Sequence, residues 1–173
     1  MPTILVLGGT RSGKTAYAQA RALAAAEGRT TPTMIVTAQA LDDEMTDRIA
    51  RHRQDRGDGW RTLEAPLDLA SVLEALSVSD VAVVDCLTLW LSNLMGEGRD
   101  IEAETAALAQ AVARCPAALW VVSNEVGWGI VPDNPLARQF RDHAGRLHQR
   151  LAAEADRVVV VVAGLPMMLK AEL

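Results

Sequence analysis

The sequence predicts a single α/β domain, residues 1–173, built on a mainly parallel β-sheet flanked by helices. Three observations lead there. Short apolar runs rich in β-branched residues, such as "VAVVD" at Val81–Asp85 and "RVVVVVA" at Arg157–Ala163, alternate with longer segments of helical pattern. Continuous apolar runs mark strands buried on both faces, as parallel strands are. Half of the 173 residues are hydrophobic but only 3% are aromatic, so a sizeable core is available and must be mostly Ala, Val and Leu. No repeat, low-complexity tract or interdomain linker interrupts the alternation.

Thr3 to Leu7 reads as a buried strand. Lys14 to Glu27 is Ala-rich and helical, with Gly28 placed as its C-terminal cap. Thr33 to Thr37 is a second strand. Asp42 to Arg56 reads as a helix whose acidic first turn suits the helix dipole, ended by Gly57 and Gly59. Trp60 to Glu64 is a short strand, Leu67 to Leu76 a helix, and Val81 to Asp85 a strong buried strand. Leu87 to Met95 is helical, Gly96 to Asp100 a loop, and Ile101 to Arg114 a helix. Ala118 to Ser123 is a strand, Pro135 to Ala155 a long amphipathic helix, and Arg157 to Ala163 another buried strand.

The formal net charge of −5 argues against nucleic-acid or anionic-membrane partners, which need a basic surface. Cys86 and Cys115 form neither a disulfide framework nor a metal-ligand spacing, so reduced thiols are expected. The apolar run Ile4 to Leu7 is too short for a signal peptide. The longest apolar stretch, Val158 to Leu169, contains Gly164 and Pro166 and is too short to span a bilayer. A soluble cytoplasmic protein is expected.

"GGTRSGKT", Gly8 to Thr15, follows the first strand and opens the first helix. It has the Walker A spacing in its required context. Backbone N–H groups of Gly8, Gly9, Thr10, Arg11, Ser12 and Gly13 are expected to curl around phosphate oxygens, helped by the helix N-terminus. Lys14 would reach the β- and γ-phosphates, and the Thr15 hydroxyl would ligate Mg²⁺. Asp85, at the end of its strand, fits the Walker B carboxylate that holds the Mg²⁺ shell. An N-K-x-D guanine motif is absent, as is a D-x-x-G after Asp85, which disfavours a switch GTPase. A kinase, a nucleotidyl transferase or an ATP-driven module remains.

"RIARHRQDR" places Arg48, His52 and Arg56 at i, i+4 and i+8, on one helix face. Cations there would bind phosphates and keep His52 neutral, and a neutral imidazole beside phosphates is a candidate nucleophile for phosphorus. Met45, Ile49 and His52 also share a line, so a core-bordering histidine fits the same spacing.

"GGTRSGKT", "TAQALDDEMTDRIARHRQDR", "WRTLE", "VVDCLTLWLSN", "VSNEVGWGIVPDNPLARQFRDHAGRLHQRLA" and "ADRVVVVVAGLP" follow in order over nearly the whole chain. Together they resemble the bifunctional adenosylcobinamide kinase / adenosylcobinamide-phosphate guanylyltransferase family of cobalamin biosynthesis. The resemblance implies a RecA-like P-loop NTPase fold, a homotrimer, and two reactions. ATP or GTP phosphorylates the aminopropanol hydroxyl of adenosylcobinamide. GTP then guanylylates an active-site histidine, which maps to His52, and the GMP passes to adenosylcobinamide phosphate. Lys14 supports the transfers. Further nucleotide contacts map to Val36, Thr37, Ala38, Arg53, Gln54, Asp55, Arg56 and Glu64, with Glu64 a possible acceptor for guanine. A monofunctional small-molecule kinase is the alternative, and a non-catalytic nucleotide-binding module a second. Asn124 and Glu125 are expected at the active-site rim or in a structural turn. His143 and His148 depart from the family pattern and are assigned no chemistry. Trp90 and Trp120 are expected in the core. Trp60 and Trp128 are expected to pack, with the border of a corrinoid pocket as the other option.

Overall fold

The structure, a computed structural model, describes residues 1–39 and 59–171. Among the described residues, seven strands form one sheet: β1 (Thr3–Gly8), β2 (Thr33–Val36), β3 (Arg61–Glu64), β4 (Val81–Asp85), β5 (Ala118–Asn124), β6 (Arg157–Val162) and β7 (Leu165–Lys170). Their order is β3-β2-β4-β5-β1-β6-β7. Every pairing is parallel except β6 with β7. Among the described residues, five helices connect them: α1 (Lys14–Ala26), α2 (Leu69–Glu74), α3 (Leu87–Gly96), α4 (Ile101–Arg114) and α5 (Pro135–Glu154).

Alternating side chains of the central strands feed two separate cores, one on each face of the sheet. Leu5, Leu7, Val84, Leu119, Val121 and Val160 join residues of α2, α3, α4 and α5. Ile4, Val6, Val83, Trp120, Val122 and Val161 meet α1 on the other face. That helix buries Ala18, Ala22 and Ala26 at i, i+4 and i+8. Small residues on this stripe let its backbone lie close to the sheet, so a core poor in aromatics still packs. Trp90 is fully buried and donates its Nε1–H to Leu67 O at 2.7 Å. Caps stop the helices where the sequence supplies them. Asp100 accepts from Glu102 N and Ala103 N, and Asn134 from Leu136 N and Ala137 N ahead of Pro135.

The predicted elements within the described residues are present, most within a residue or two of their expected ends. The predicted helix Asp42–Arg56 lies outside the described residues. β7 is the element the sequence reading did not assign. Its turn, Ala163–Gly164, has both residues in the left-handed region (φ 51° and 80°), as a two-residue hairpin requires. Asn or Asp usually announces such a turn, and neither is present. Pro166 is tolerated because β7 is an edge strand. The apolar stretch Val158–Leu169 is therefore a hairpin. Among the described residues no helix is long and apolar enough to cross a membrane.

Candidate active site

The carboxyl ends of the parallel strands bring the candidate residues to one edge of the sheet. The register pairs Val36 with both Glu64 and Asp85, and Gly8 with Asn124. Across that edge the order is Glu64, Val36, Asp85, Asn124, Gly8. Crevices beyond this end of an open α/β sheet are where ligands bind.

Gly8 to Thr15 form the turn from β1 into α1. Gly8 is buried, and a Cβ there would lie 2.5 Å from Ser12 Oγ and 2.6 Å from Val161 O. Gly13 caps the helix at φ 94°, a conformation glycine adopts without strain. Arg11 is also left-handed, at φ 55°. Lys14 is buried and folds its Nζ back to donate to Gly9 O at 3.0 Å. Gly9 itself is open, since a Cβ added to it would meet nothing within 4 Å. Thr15 is partly exposed in the first turn of α1. A glycine loop with an accessible backbone, a helix N-terminus and a lysine laid along it has the donors to hold a polyphosphate. A described residue on the far side also supports it: Gly164 N donates to Ser12 O at 2.8 Å, so the β6–β7 turn backs the loop.

A chain of polar contacts joins the other strand ends. Thr37 N donates to Asp85 O at 3.3 Å, and Thr37 Oγ1 donates to Cys86 O at 2.7 Å while accepting from Cys86 N at 3.0 Å. Cys86 Sγ lies 3.1 Å from Thr88 Oγ1, which accepts from Asn124 Nδ2 at 2.8 Å. From α3, Asn93 Nδ2 donates to Thr37 O and Pro66 O. Thr37 after β2, Cys86 after β4 and Asn124 at the end of β5 are thereby tied together around the residue that follows Asp85. Burial, reinforced by the Asp85 charge, pushes the Cys86 thiol up, so it stays a neutral structural thiol.

Beside Asn124, Glu125 N donates to Gly8 O at 2.9 Å. Its carboxylate accepts from Gly127 N and lies 3.7 Å from His148 Nδ1. His148 is buried on α5, with Nε2 2.7 Å from Ser123 Oγ. Burial lowers the His148 pKa, and Glu125 opposes it more weakly. This histidine was assigned no chemistry in the sequence reading, and its polar contacts are structural ties between α5 and the end of β5.

Gly8, Gly9, Thr10, Arg11, Ser12, Gly13, Lys14, Thr15, Val36, Thr37, Ala38, Glu64 and Asp85 all fall at this sheet edge. His52, Arg53, Gln54, Asp55 and Arg56 lie outside the described residues. Trp60 packs against the α1-side core, as expected, whereas Trp128 is 75% exposed and does not pack. Gly127 and Gly129 beside it signalled a loop, but not which way the indole faces. The reading also missed Thr37's tie to Cys86 and the hairpin turn behind Ser12. Both are contacts between segments distant in sequence.

The sheet order, the loop between β1 and α1, and the buried lysine define a P-loop nucleoside-triphosphate-binding protein. Two solved structures share this fold: the P4 protein of bacteriophage phi13 (TM-score 0.53, 16% identity) and the flagellar accessory protein FlaH of Methanocaldococcus jannaschii (TM-score 0.54, 11% identity). The alignments cover 96% and 99% of this chain, and 53% and 79% of those proteins. Within that class the chain belongs to the cobinamide kinase / cobinamide phosphate guanyltransferase family, whose model matches residues 4–169. It is 46% identical to the bifunctional adenosylcobalamin biosynthesis protein CobP of Pseudomonas aeruginosa, over 97% of both chains. It is 43% identical to CobU of Salmonella typhimurium and 41% to CobU of Escherichia coli, each over 96% of this chain and 99% of the relative.

Proposed function

We propose that this protein phosphorylates the aminopropanol hydroxyl of adenosylcobinamide with ATP or GTP, then transfers GMP from GTP to the product, giving adenosylcobinamide-GDP. The observation that carries this reading is the family match over residues 4–169 in a chain whose P-loop and Asp85 share one sheet edge. In the kinase step the acceptor oxygen forms a bond to the γ-phosphorus, the bond to the β-phosphate oxygen breaks, and the nucleoside diphosphate leaves. Lys14 and the loop N–H groups stabilise the charge on the transferring phosphoryl group. Thr15 and Asp85 are the oxygen donors suited to Mg²⁺, which takes few protein ligands beside phosphates and water and neutralises phosphate charge when bound.

In the second reaction His52 attacks the α-phosphorus of GTP and pyrophosphate leaves. A phosphate oxygen of adenosylcobinamide phosphate then attacks the same phosphorus and regenerates His52. Arg53 and Arg56 offset phosphate charge, while Gln54, Asp55, Val36, Thr37 and Ala38 line the nucleotide. Glu64 accepts from the guanine N1 and N2 donors. The enzyme works in the cytoplasm as a homotrimer, and its net charge of −5 supports the absence of a nucleic-acid partner.

The test is covalent labelling with Mg²⁺ and GTP carrying the label in either the α- or the γ-phosphate. An acid-labile, alkali-stable α-label lost in His52→Ala is expected. Absence of α-label from a protein that still phosphorylates adenosylcobinamide would reduce it to a plain kinase.

A further inference from the structure

Residues 125–134 leave the end of β5 directly beside the P-loop, anchored where Glu125 N donates to Gly8 O. This connection is fastened at both ends. At its start, Glu125 Oε1 accepts from Gly127 N at 2.6 Å and the other carboxylate oxygen faces His148. At its end, Arg138 Nη1 donates to Pro132 O at 2.9 Å and Asp133 O at 2.7 Å, and Asn134 caps α5. Between these ties the large apolar side chains point to solvent. Trp128 is 75% exposed, Ile130 96% and Val131 58%, with Val126 and Leu136 exposed on either side. Isolated exposed hydrophobics are ordinary, but several gathered on a fastened loop mark an interaction surface.

We propose that this loop is the docking surface for the corrinoid ring of the acceptor, with Trp128 and Ile130 packing against it. The proposal rests on the function given above. Two features select this occupant. The loop begins at the residue bonded to Gly8, so a bulky acceptor resting on it carries its hydroxyl arm toward the phosphates in the P-loop. The segment 126–132, "VGWGIVP", has no ionisable side chain, while Glu125 and Asp133 flank it. A broad macrocycle with apolar ring edges and peripheral primary amides suits that pattern: ring on the indole and isoleucine, an amide N–H toward the exposed Asp133 carboxylate. Gly127 and Gly129 put no side chain beside the Trp128 ring, leaving its faces open to stacking.

The test uses the full chain with Trp128→Ser, Ile130→Ser and the double substitution, and Trp128→Phe as the conservative variant. Binding of adenosylcobinamide is followed by equilibrium dialysis through the corrin colour, and KM and kcat are measured for its phosphorylation. Pyrophosphate release from GTP in the absence of corrinoid reports the nucleotide side, and light scattering reports assembly. The double variant is expected to weaken corrinoid binding by about tenfold or more, the loss for a large apolar contact. Trp128→Phe should recover most of it, with kcat at saturation, pyrophosphate release and assembly mass unchanged. Wild-type corrinoid affinity in the double variant would overturn the proposal. So would a changed assembly mass with parallel loss of pyrophosphate release, which would make the loop a contact between copies of this chain. A wild-type protein that neither binds nor phosphorylates adenosylcobinamide would sink the functional reading itself, and this inference with it.

Discussion

His148 Nε2 lies 2.7 Å from Ser123 Oγ, a buried contact that pins α5 to the end of β5 one residue before the Asn124–Gly8 pairing. The tautomer follows from its neighbours. Glu125 Oε2 lies 3.7 Å from Nδ1, beyond hydrogen-bond reach, and its charge favours the tautomer with the proton on Nδ1. Nε2 is then the acceptor, and the Ser123 hydroxyl donates to it. Burial lowers the His148 pKa below its ordinary 6.5 despite Glu125. The unfolded chain therefore binds this proton more readily than the native one. Stability is complete above about pH 6.5 and declines as pH falls from there toward the lowered native value, by about 1.4 kcal/mol per unit of depression. Melting temperature across pH 5 to 8 should show this decline, and His148→Asn should remove that part of it. Identical pH profiles in the two proteins would refute the assignment.

Gly8 and Gly9 are adjacent and predict opposite outcomes. A methyl at Gly8 runs into Ser12 Oγ and into the Val161 carbonyl, which is strand backbone and cannot move cheaply. Gly8→Ala should cost about 1–3 kcal/mol in denaturant unfolding. Gly9→Ala meets nothing within 4 Å and should leave stability within about 0.5 kcal/mol. Any loss of nucleotide affinity in Gly9→Ala then reports the phosphate cradle rather than the fold.

Lys14→Ala should lower kcat for phosphoryl transfer by about 10²–10³-fold, the usual loss for one charge-stabilising donor. Lys14→Arg should not restore it, because a planar fork does not replace a compact ammonium folded over Gly9 O. Steady-state kinetics with ATP and with GTP measure both variants, and full activity in Lys14→Ala would remove the lysine from the mechanism.

Why the strands and the P-loop were legible in the sequence, and other parts were not, has a physical basis. Val81–Asp85 and Ile101–Arg114 were bounded correctly because burial on both faces, or an Asp100 cap with a clear apolar stripe, writes itself into local pattern. Walker A was legible because glycine and lysine spacing is dictated by a local turn around phosphate. β7 was not, since Ala163 gives no hint that it adopts φ 51°, and apolar residues exposed on an edge strand look the same in sequence as buried ones. Trp128 failed for the same reason: sequence tells that a residue is apolar, not that its loop is held open. The Ser123–His148 tie spans 25 residues and two elements, so no local spacing carries it.

Thr37→Val tests the link between β2 and β4. The swap keeps shape but removes a hydroxyl that both donates to Cys86 O and accepts from Cys86 N. The buried Cys86 N–H loses its partner, while Cys86 O keeps the Trp90 N–H at 3.2 Å, so about 1–3 kcal/mol of stability should go. Since Cys86 directly follows Asp85, kcat should fall as well, while Thr37→Ser should retain both. Loss of stability with unchanged kcat would mean that Asp85 is held independently of Thr37.

The β6–β7 turn offers a final pair of opposed substitutions. Ala163 and Gly164 both sit at positive φ, and Gly164 N holds Ser12 O behind the P-loop. An L side chain in the left-handed region costs about 1–2 kcal/mol, and glycine loses about 0.5–1 kcal/mol more chain entropy than alanine on folding. Ala163→Gly removes the first cost and adds the second, so its stability should be equal or up to about 1.5 kcal/mol higher. Gly164→Ala does the reverse at φ 80°, with open space around the new methyl, and should lose about as much. Because the turn backs Ser12, the strained Gly164→Ala turn should also weaken nucleotide binding, whereas Ala163→Gly should not. Calorimetric Kd values for ATP beside the two unfolding curves decide it: equal affinities in both variants would mean that the hairpin shapes the sheet edge without supporting the phosphate loop.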